Sequence, residues 1–536
     1  MKMKAYIKLT LVAALTAAMA SCDSYLDKLP DDRAELTSDP ELSAEKIGNL
    51  LVSAYHLNTG NLILEISSDN VTDNGERYST AVDIEQLYRF KDVTDEGNDD
   101  PRSFWNGCYT AVATANQALE AIDESGNPES MRSIRAEALL CRAFGMFQLA
   151  NVFCMAYDPT KADEYLGLPY PTEPEKDVNT EYERGTLAEL YANIDADIEA
   201  ALPDITDDRY VTPKYHFNVK AAYAFAARFN LYYHRYDKVI QYASEVLGLN
   251  PTDYLRNREP YANLGYNDYY NRYIQSTEAC NFLLLPAYSI VGRTFLGQWT
   301  RYNHGIDIVG YETYWALAPW ATNPGTSSNN LLWASHRLYG TNQVVFEPKM
   351  LETFEYTDKV NRTGYPHIVD TYFTGDETLL CRAEAYALRN QGDDLQKAVD
   401  DINYWAQGNL EPSYGSYTRP TYTIANLTNF ISALPYAPVT VGADEPEKRS
   451  IKKVLHPQGF TVAEGQQESI VHTILQARRV TTTFQGLRFL DLKRYGIEYG
   501  HYLDGEEAVV FTAGDLRGAI QLPNDVISAG LEANPR

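Results

Sequence analysis

The stretch VKAAYAFAARFNLYYHRYDKVIQYASEVLGLNP, residues 219–251, leaves this chain few choices of fold. Apolar residues recur in it at spacings of three and four, the period of a helix buried along one face. The small residues Ala222, Ala226 and Ala227 let a neighbouring helix approach closely. The pattern breaks at His234–Asp237, resumes, and stops at Pro251, because proline lacks an amide hydrogen and clashes with the preceding turn. Two helices joined by a short turn are expected. A looser copy, ETLLCRAEAYALRNQGDDLQKAVDDINYWAQ, fills residues 377–407, with its turn at Gln391–Asp394.

A helical pair of this size resembles the tetratricopeptide repeat, whose period is about 34 residues. Neither copy has the Trp and Gly pair of that repeat's first helix. The copies are also far apart, so a plain solenoid is excluded and the pairs have to stack in space around what lies between them. Other windows are helical as well. SAEKIGNLLVSAYHLN sets Ile47, Leu50, Leu51 and Ala54 at helical spacing, and FWNGCYTAVATANQALEAI does so with Trp105, Tyr109, Val112, Ala115 and Leu119. SIRAEALLCRAFGMFQLANVF follows, then a proline- and acid-rich break at 158–180, then TLAELYANIDADIEAALPDI as far as Pro203. ESIVHTILQARRVTTTFQGLRFLDLKRYG, residues 468–496, reads as a further helix, and 408–470 as a polar, proline-containing loop region. The expected class is mainly α, a scaffold of tetratricopeptide-like pairs.

Residues 252–376 differ in character. YLRNREPYANLGYNDYYNRY holds six tyrosines in twenty residues, and Trp299, Trp315, Trp320 and Trp333 are four of the chain's six tryptophans. Turn signals such as NPGTSSNN interrupt the region, which reads as a loop-rich aromatic insertion. The whole chain has 41 Tyr against 18 Phe, and tyrosine keeps a polar tip on an apolar plate. A sugar ring presents an apolar C–H face that stacks on such plates, while its hydroxyls bond Asn, Asp, Arg and Gln. Trp299, Trp315, Trp320 and Tyr302 lie beside Arg301, Asn303 and Asn323, a suitable mixture. The competing reading is that these rings fill the insertion's own core; for Trp105 and Trp405, on helical apolar faces, it is the favoured one.

No catalytic constellation has specific spacing: there is no GxSxG, no phosphate loop, no GxGxxG and no HExxH, so no enzyme is expected. A glycosidase needs only two carboxylates, and with 73 acidic residues it stays an alternative without a motif. The net charge of −27 would repel a phosphate backbone, so nucleic acid is not an expected partner. The acidic stretch DVTDEGNDD, residues 92–100, offers oxygen ligands for calcium but does not match the EF-hand loop. A solvated turn is the simpler reading, and no metal or cofactor is expected.

The N-terminus is an address. Lys2, Lys4 and Lys8 precede the apolar run Leu9–Ala18, too short to anchor across a bilayer about 30 Å thick. Ala20 and Ser21 then precede Cys22, which resembles the bacterial lipobox, with Met19 where that motif usually has Leu. The resemblance implies lipidation at Cys22; the alternative is a secreted protein with an incidental cysteine. The other five cysteines, an odd number, show no CxxC or metal spacing, so no disulfide framework is expected.

Together these features resemble the SusD/RagB family of outer-membrane lipoproteins from Bacteroidetes-type bacteria. FWNGCYTAVATAN, IRAEALLCRAFGMFQLANVF, STEACNFLLL, CRAEAYALRNQGD and the LP…NP ending look like family blocks in family order. In the block near the C-terminus Gly486, Arg488, Asp491, Leu492 and Arg494 match. The family's Glu-Arg pair is Ala477-Arg478 here, and its acidic-aromatic step is Thr483-Phe484, which puts the family's buried ion pair in question. Arg488 and Asp491, three apart on a helix, are expected to pair. The resemblance implies a surface nutrient binder, not an enzyme, that lids a TonB-dependent SusC-like transporter and hands over oligosaccharide. Peptide binding or pure scaffolding in the same complex is the alternative. Its ligand surface would draw on Asn74, Arg77 and Tyr78, from SSDNVTDNGERYST, alongside Trp299, Trp315, Trp320, Tyr302 and Asn303. The expected organisation is a signal peptide over 1–21, a lipidated tether over 22–40, a helical scaffold over 41–251, the insertion over 252–376, and the second helix pair with the C-terminal region over 377–536. Asp23, Asp27, Asp31 and Asp32 look like the signal that sends such lipoproteins to the outer face.

Overall fold

Each long helix starts where a side chain can satisfy its first free amide hydrogens. In this computed structural model, which describes residues 40–536 except 57, 176–181, 297–299, 334–336, 340–343 and 443, Asp100 accepts from Ser103 N and Pro101 fills the first helical position. Cys22 and the N-terminal address therefore lie outside the described residues. The N-terminal helices are α1 (Pro40–Leu50), α2 (Asn61–Ile66), α3 (Val82–Tyr88), α4 (Pro101–Glu124) and α5 (Arg132–Phe153). Next comes α6 (Leu187–Ala201), opened by a reciprocal capping box between Thr186 and Glu189.

The segment at 219–251 forms α7 (Val219–Tyr232) and α8 (Tyr236–Leu247), and its partner forms α12 (Gly375–Arg389) and α13 (Asp394–Asn409). His234, at the first turn, and Asn390, at the second, adopt the left-handed backbone conformation that closes a helix. The two pairs meet directly through α8 and α12. Arg382 of α12 reaches the Gly248 carbonyl at 3.2 Å, and Arg389 bonds Asp237 at 2.6 Å. Thus the pairs stack in space, as their sequence separation requires. Ala222, Ala226 and Ala227 of α7 are all fully buried.

The insertion is more ordered than its turn signals suggest. Three short helices, α9 (Tyr266–Tyr273), α10 (Val291–Leu296) and α11 (Ile306–Tyr311), accompany several strands. The strands β2 (Asn281–Tyr288), β6 (Thr353–Asp358) and β7 (Thr363–Thr374) form one antiparallel sheet in the order β2-β7-β6. A second small pair joins β4 (Arg337–Tyr339) to β5 (Val344–Phe346). Between β1 (Thr72–Asp73) and β3 (Tyr302–Asn303) a two-residue pairing ties the N-terminal part to the insertion. One hydrophobic core runs from Ile47 through Phe225, Leu283, Trp320 and Trp405 to Leu522, so all three parts of the chain share it. Tyr261, Tyr269 and Tyr273, from the tyrosine-rich stretch, make a separate buried cluster.

Two expectations need correction. Residues 468–496 are two helices, α15 (Gln466–Thr481) and α16 (Leu487–Tyr495), not one. The break falls where Phe484 and Gly486 take positive φ, at 70° and 71°, which a continuing right-handed helix forbids. A side chain at 486 would also sit 2.6 Å from Leu64 Cβ. Within 408–470, α14 (Ile424–Ala433) forms because Thr423 and Asn426 cap it reciprocally and it lays Leu427 and Ile431 against α15. The five described cysteines, Cys108, Cys141, Cys154, Cys280 and Cys381, are buried free thiols. Among the described residues no helix is long and apolar enough to cross a membrane.

Trp405, on α13, is fully buried against Trp320 and donates its indole N–H to Thr481 Oγ1 at 2.9 Å. Trp405→Ala is expected to cost about 3–5 kcal/mol, through the cavity it leaves and the lost bond, as measured by denaturant unfolding.

Candidate ligand-binding site

The loop after β1 and the turn before β3 are more than two hundred residues apart in sequence but zipped together in space. Thr72 pairs with Asn303 and Asp73 with Tyr302. Asn74 donates its backbone N–H to the Arg301 carbonyl at 2.9 Å, and Arg301 donates its own to the Ser79 carbonyl at 2.9 Å. The Asn74 side-chain amide bonds the Arg301 carbonyl at 3.0 Å and Asn303 Oδ1 at 2.8 Å. Beneath this seam the buried Asp73 carboxylate receives Arg301 Nε at 2.8 Å and Nη2 at 2.9 Å, a bidentate pair. Gly75 makes the turn at φ 95°, where a Cβ would sit 2.5 Å from Asp504 Oδ2, so only glycine fits.

Stacked rings support the seam from inside. Tyr302 stacks on Tyr88 at 4.3 Å, and Tyr88 lies nearly parallel to the His501 imidazole at 4.1 Å. The Tyr88 hydroxyl donates to the Tyr502 carbonyl at 2.8 Å. Burial lowers the His501 pKa, against the opposing effect of the Tyr88 and Ser68 carbonyls that its two ring nitrogens face at 2.6 and 2.9 Å.

The structure therefore brings together Asn74, Arg77, Tyr78, Tyr302 and Asn303 of the sequence-predicted site, but with different exposures. Arg77 is exposed, with its guanidinium 5.3 Å from the Tyr78 ring centroid, and no carboxylate pairs with it among the described residues. Glu76, Ser79 and Ala81 are exposed around it, and Asn74 and Thr80 are half-buried. Tyr78, at 8% exposed, is buried like Tyr302 and Asn303, so all three hold the seam rather than offer an open face to solvent. Trp299 lies outside the described residues.

Trp315 and Trp320 are corrections. Trp320 is 0% exposed, with its ring 4.9 Å from Trp405, and Trp315 is 8% exposed. A sugar needs an open ring face, and neither offers one, so the filling of a core is their role. Nearness in sequence misled here, because the turns after α11 carry both indoles inward. The Asp73–Arg301 pair that organises the seam went unrecognised; an isolated acid in a polar loop carries no signal of a partner more than two hundred residues away.

In the acidic stretch 92–100 the residues up to Asn98 are mostly exposed, and only its last two are buried in the structure. Asp100 caps α4, and the buried Asp99 accepts from Ser289 Oγ at 2.5 Å and Ile290 N at 2.8 Å. Among the described residues no cluster of three or more acidic, His or Cys groups could hold a metal ion. Burial pushes the Asp99 carboxyl up to about 7, with Asp83 and Asp100 adding to the rise against those two hydrogen bonds. Elsewhere, a groove of about 810 Å³ runs beside α13 and is lined by Leu249, Tyr386, Asp400, Tyr404, Gln407 and Arg419.

Residues 24–231 match the SusD-like family model, described as starch-binding and associating with the outer membrane. A SusD superfamily protein from Bacteroides fragilis superposes with a TM-score of 0.60 at 16% identity, over 92% of this chain and 99% of its own. The fold is SusD-like. One from Bacteroides thetaiotaomicron gives 0.57 at 19% identity with the same coverage of both chains. A laminarin-binding SusD-like protein gives 0.51 at 16%, again over 92% and 99%. No curated protein matches the chain. The SusD/RagB resemblance and the mainly α class read from the sequence both hold, and the SusD-like architecture spans scaffold, insertion and C-terminal region together.

Two outcomes test this geometry. Arg301→Met strands the buried Asp73 carboxylate and is expected to cost about 3–5 kcal/mol, with faster amide exchange over 72–80 and 300–303. Because the folded pKa of Asp99 lies above its unfolded value, folding favours the protonated form. Its destabilising contribution is absent below about pH 4, grows as pH rises, and is complete above about pH 7. Asp99→Asn is expected to remove that part of the decline, seen as a flatter midpoint between pH 4 and 7 in urea unfolding at stepped pH.

Proposed function

We propose that this protein is a cell-surface lipoprotein that binds oligosaccharide and delivers it to a TonB-dependent SusC-like transporter, and that it is not an enzyme. The observation that carries the reading is a SusD-like fold across nearly the whole chain, shared with a protein named for binding laminarin. The lipobox-like Cys22 would hold it at the outer membrane, in keeping with the description of the matching family. The mixture of groups at the seam supports a sugar ligand. Arg77 supplies exposed donors for hydroxyls, and Trp299, two residues before Arg301 in sequence, would supply an apolar ring. A neutral glycan suits such a site better than an anionic one in a chain of net charge −27. Scaffolding within the same complex is the second reading, favoured by the groove beside α13.

Affinity electrophoresis of the purified mature chain on a glycan panel tests the assignment. Arg77→Ala and Trp299→Ala are each expected to weaken a confirmed glycan by about tenfold, roughly 1.4 kcal/mol, and Trp320→Phe to leave it unchanged. Undiminished retention of both variants would remove the seam from consideration. Failure of every glycan tested, with transporter capture intact, would favour the scaffolding reading.

A further inference from the structure

Strand β6 closes its sheet, and among the described residues no strand pairs with its outer side. The register shows which of its backbone groups are left over. Ser289 donates its backbone N–H to the Pro366 carbonyl at 3.1 Å, so Pro366 of β7 faces β2. Its neighbours Tyr365 and His367 must then face β6, where they stand opposite Glu355 and Thr353. Phe354 and Tyr356 alternate with those residues, so their N–H and C=O groups point away from the sheet. Among the described residues no backbone bond satisfies that outer row. The sheet thus ends in two unpaired donors and two unpaired acceptors at the spacing of a strand ladder.

The side chains on this edge are unusual for a solvated strand. Phe354 is 43% exposed, Tyr356 51% and Tyr365 49%, and Val360 at the hairpin tip is exposed as well. Natural sheets blunt such edges with lysine, proline or bulges. Here the register shift falls only between Tyr356 and Asp358, next to the tip. The two faces differ. Phe354 and Tyr356 share one, with ring centroids 5.0 Å apart. Glu355 is exposed on the other, opposite Tyr365, whose ring lies 4.9 Å from that of Tyr288.

We propose that β6 receives an extended polypeptide strand from a partner protein, in which apolar residues alternate with a basic one. The outer backbone row supplies main-chain bonds, the Phe354–Tyr356 face takes apolar side chains, and Glu355 takes the cation on the other face. A second copy of this chain fits poorly. Antiparallel self-pairing that uses both outward-facing residues sets Glu355 against Glu355, and two chains of charge −27 repel. A glycan fits poorly too, since the Phe354 and Tyr356 rings stand 71° apart and share no platform.

The test uses the purified mature chain and two short fluorescent peptides, one alternating Val with Lys and one alternating Val with Glu, read by anisotropy. The Lys peptide is expected to bind and the Glu peptide not. Glu355→Lys is expected to weaken the Lys peptide by about fivefold, the effect of reversing one cross-strand charge, and to admit the Glu peptide. Phe354→Pro removes an outward amide that no described residue of the chain uses, so it is expected to abolish binding at an unchanged melting midpoint. Should Phe354→Pro unfold, the charge-reversal arm decides alone. No binding of the Lys peptide to the natural chain, or equal binding by Glu355→Lys, overturns the proposal. So does self-association that Phe354→Pro abolishes, or protection of the hairpin by an oligosaccharide in hydrogen exchange.

Discussion

Two adjacent arginines on α15 hold the parts of this protein to one another. Arg478 and Arg479 are both buried, and being neighbours on a helix they point in different directions. Arg478 turns to the helix-pair scaffold, bonding Asp491 of α16 at 3.0 Å and Glu377 of α12 at 3.4 Å. Arg228 of α7 joins Glu377 at 3.1 Å, and Arg494 joins Asp491 at 3.1 Å and Glu384. That set balances three arginines against three carboxylates. Arg479 turns the other way, to Asn70 at 2.7 Å, Asp69 at 3.1 Å and Glu312 of the insertion at 2.9 Å. One guanidinium therefore joins the N-terminal loop, the insertion and the C-terminal helix.

The second set carries more positive charge than negative, and its titration reflects that. Burial alone would raise the Asp69 carboxyl, but Arg479 and Arg488 overcome it and hold Asp69 well below the usual carboxylate range. Glu312 is likewise brought down to about 2 by Lys453, Arg479 and Arg449 against its burial. Lys453 itself is lowered, because the cost of burying its ammonium exceeds what Glu312 and Asp69 return. Buried ion pairs of this kind add little net stability over apolar residues of the same volume, yet removing one partner is costly. What they supply is register: α15 fits only one arrangement of loop, insertion and scaffold.

Much of the scaffold was legible because it rests on local periodicity. The turns at His234 and Asn390, the close-packed alanines and the separate stacking of the two pairs all follow from spacings of three and four. The ionic web was not. Replacement of the family's Glu-Arg pair by Ala477-Arg478 suggested a lost ion pair, whereas Arg478 finds its carboxylates on α12 and α16. Arg488 and Asp491 were expected to pair at three residues' spacing. Instead Arg488 forks onto Asp69 at 2.7 and 2.8 Å, and Asp491 turns to Arg478 and Arg494. Helical spacing says which residues share a face, but a buried face is settled by partners hundreds of residues away. The same limit explains the tryptophans. Composition showed that the insertion is rich in rings, and only tertiary packing decides that Trp320 faces Trp405 and not solvent.

The web also explains why a loop can serve as a binding surface here. Asp69 and Asn70, fixed by Arg479 and Arg488, stand just before Val71 and β1, so the chain enters Thr72–Asp73 from a point that cannot shift. Asp73 then grips Arg301, and the ring stack of Tyr302, Tyr88 and His501 fills the space behind. By the time the chain reaches Arg77, the Asp73–Arg301 pair and the ring stack behind it are buried and bonded, and Arg77 itself is left exposed. Ordering a loop residue at the moment of binding costs conformational entropy, about 1–2 kcal/mol per residue for the backbone alone. Here that cost is met on folding, by charges far from the surface. A ligand meeting Arg77 has only that side chain to order, which allows a neutral sugar with few strong contacts to be held at all.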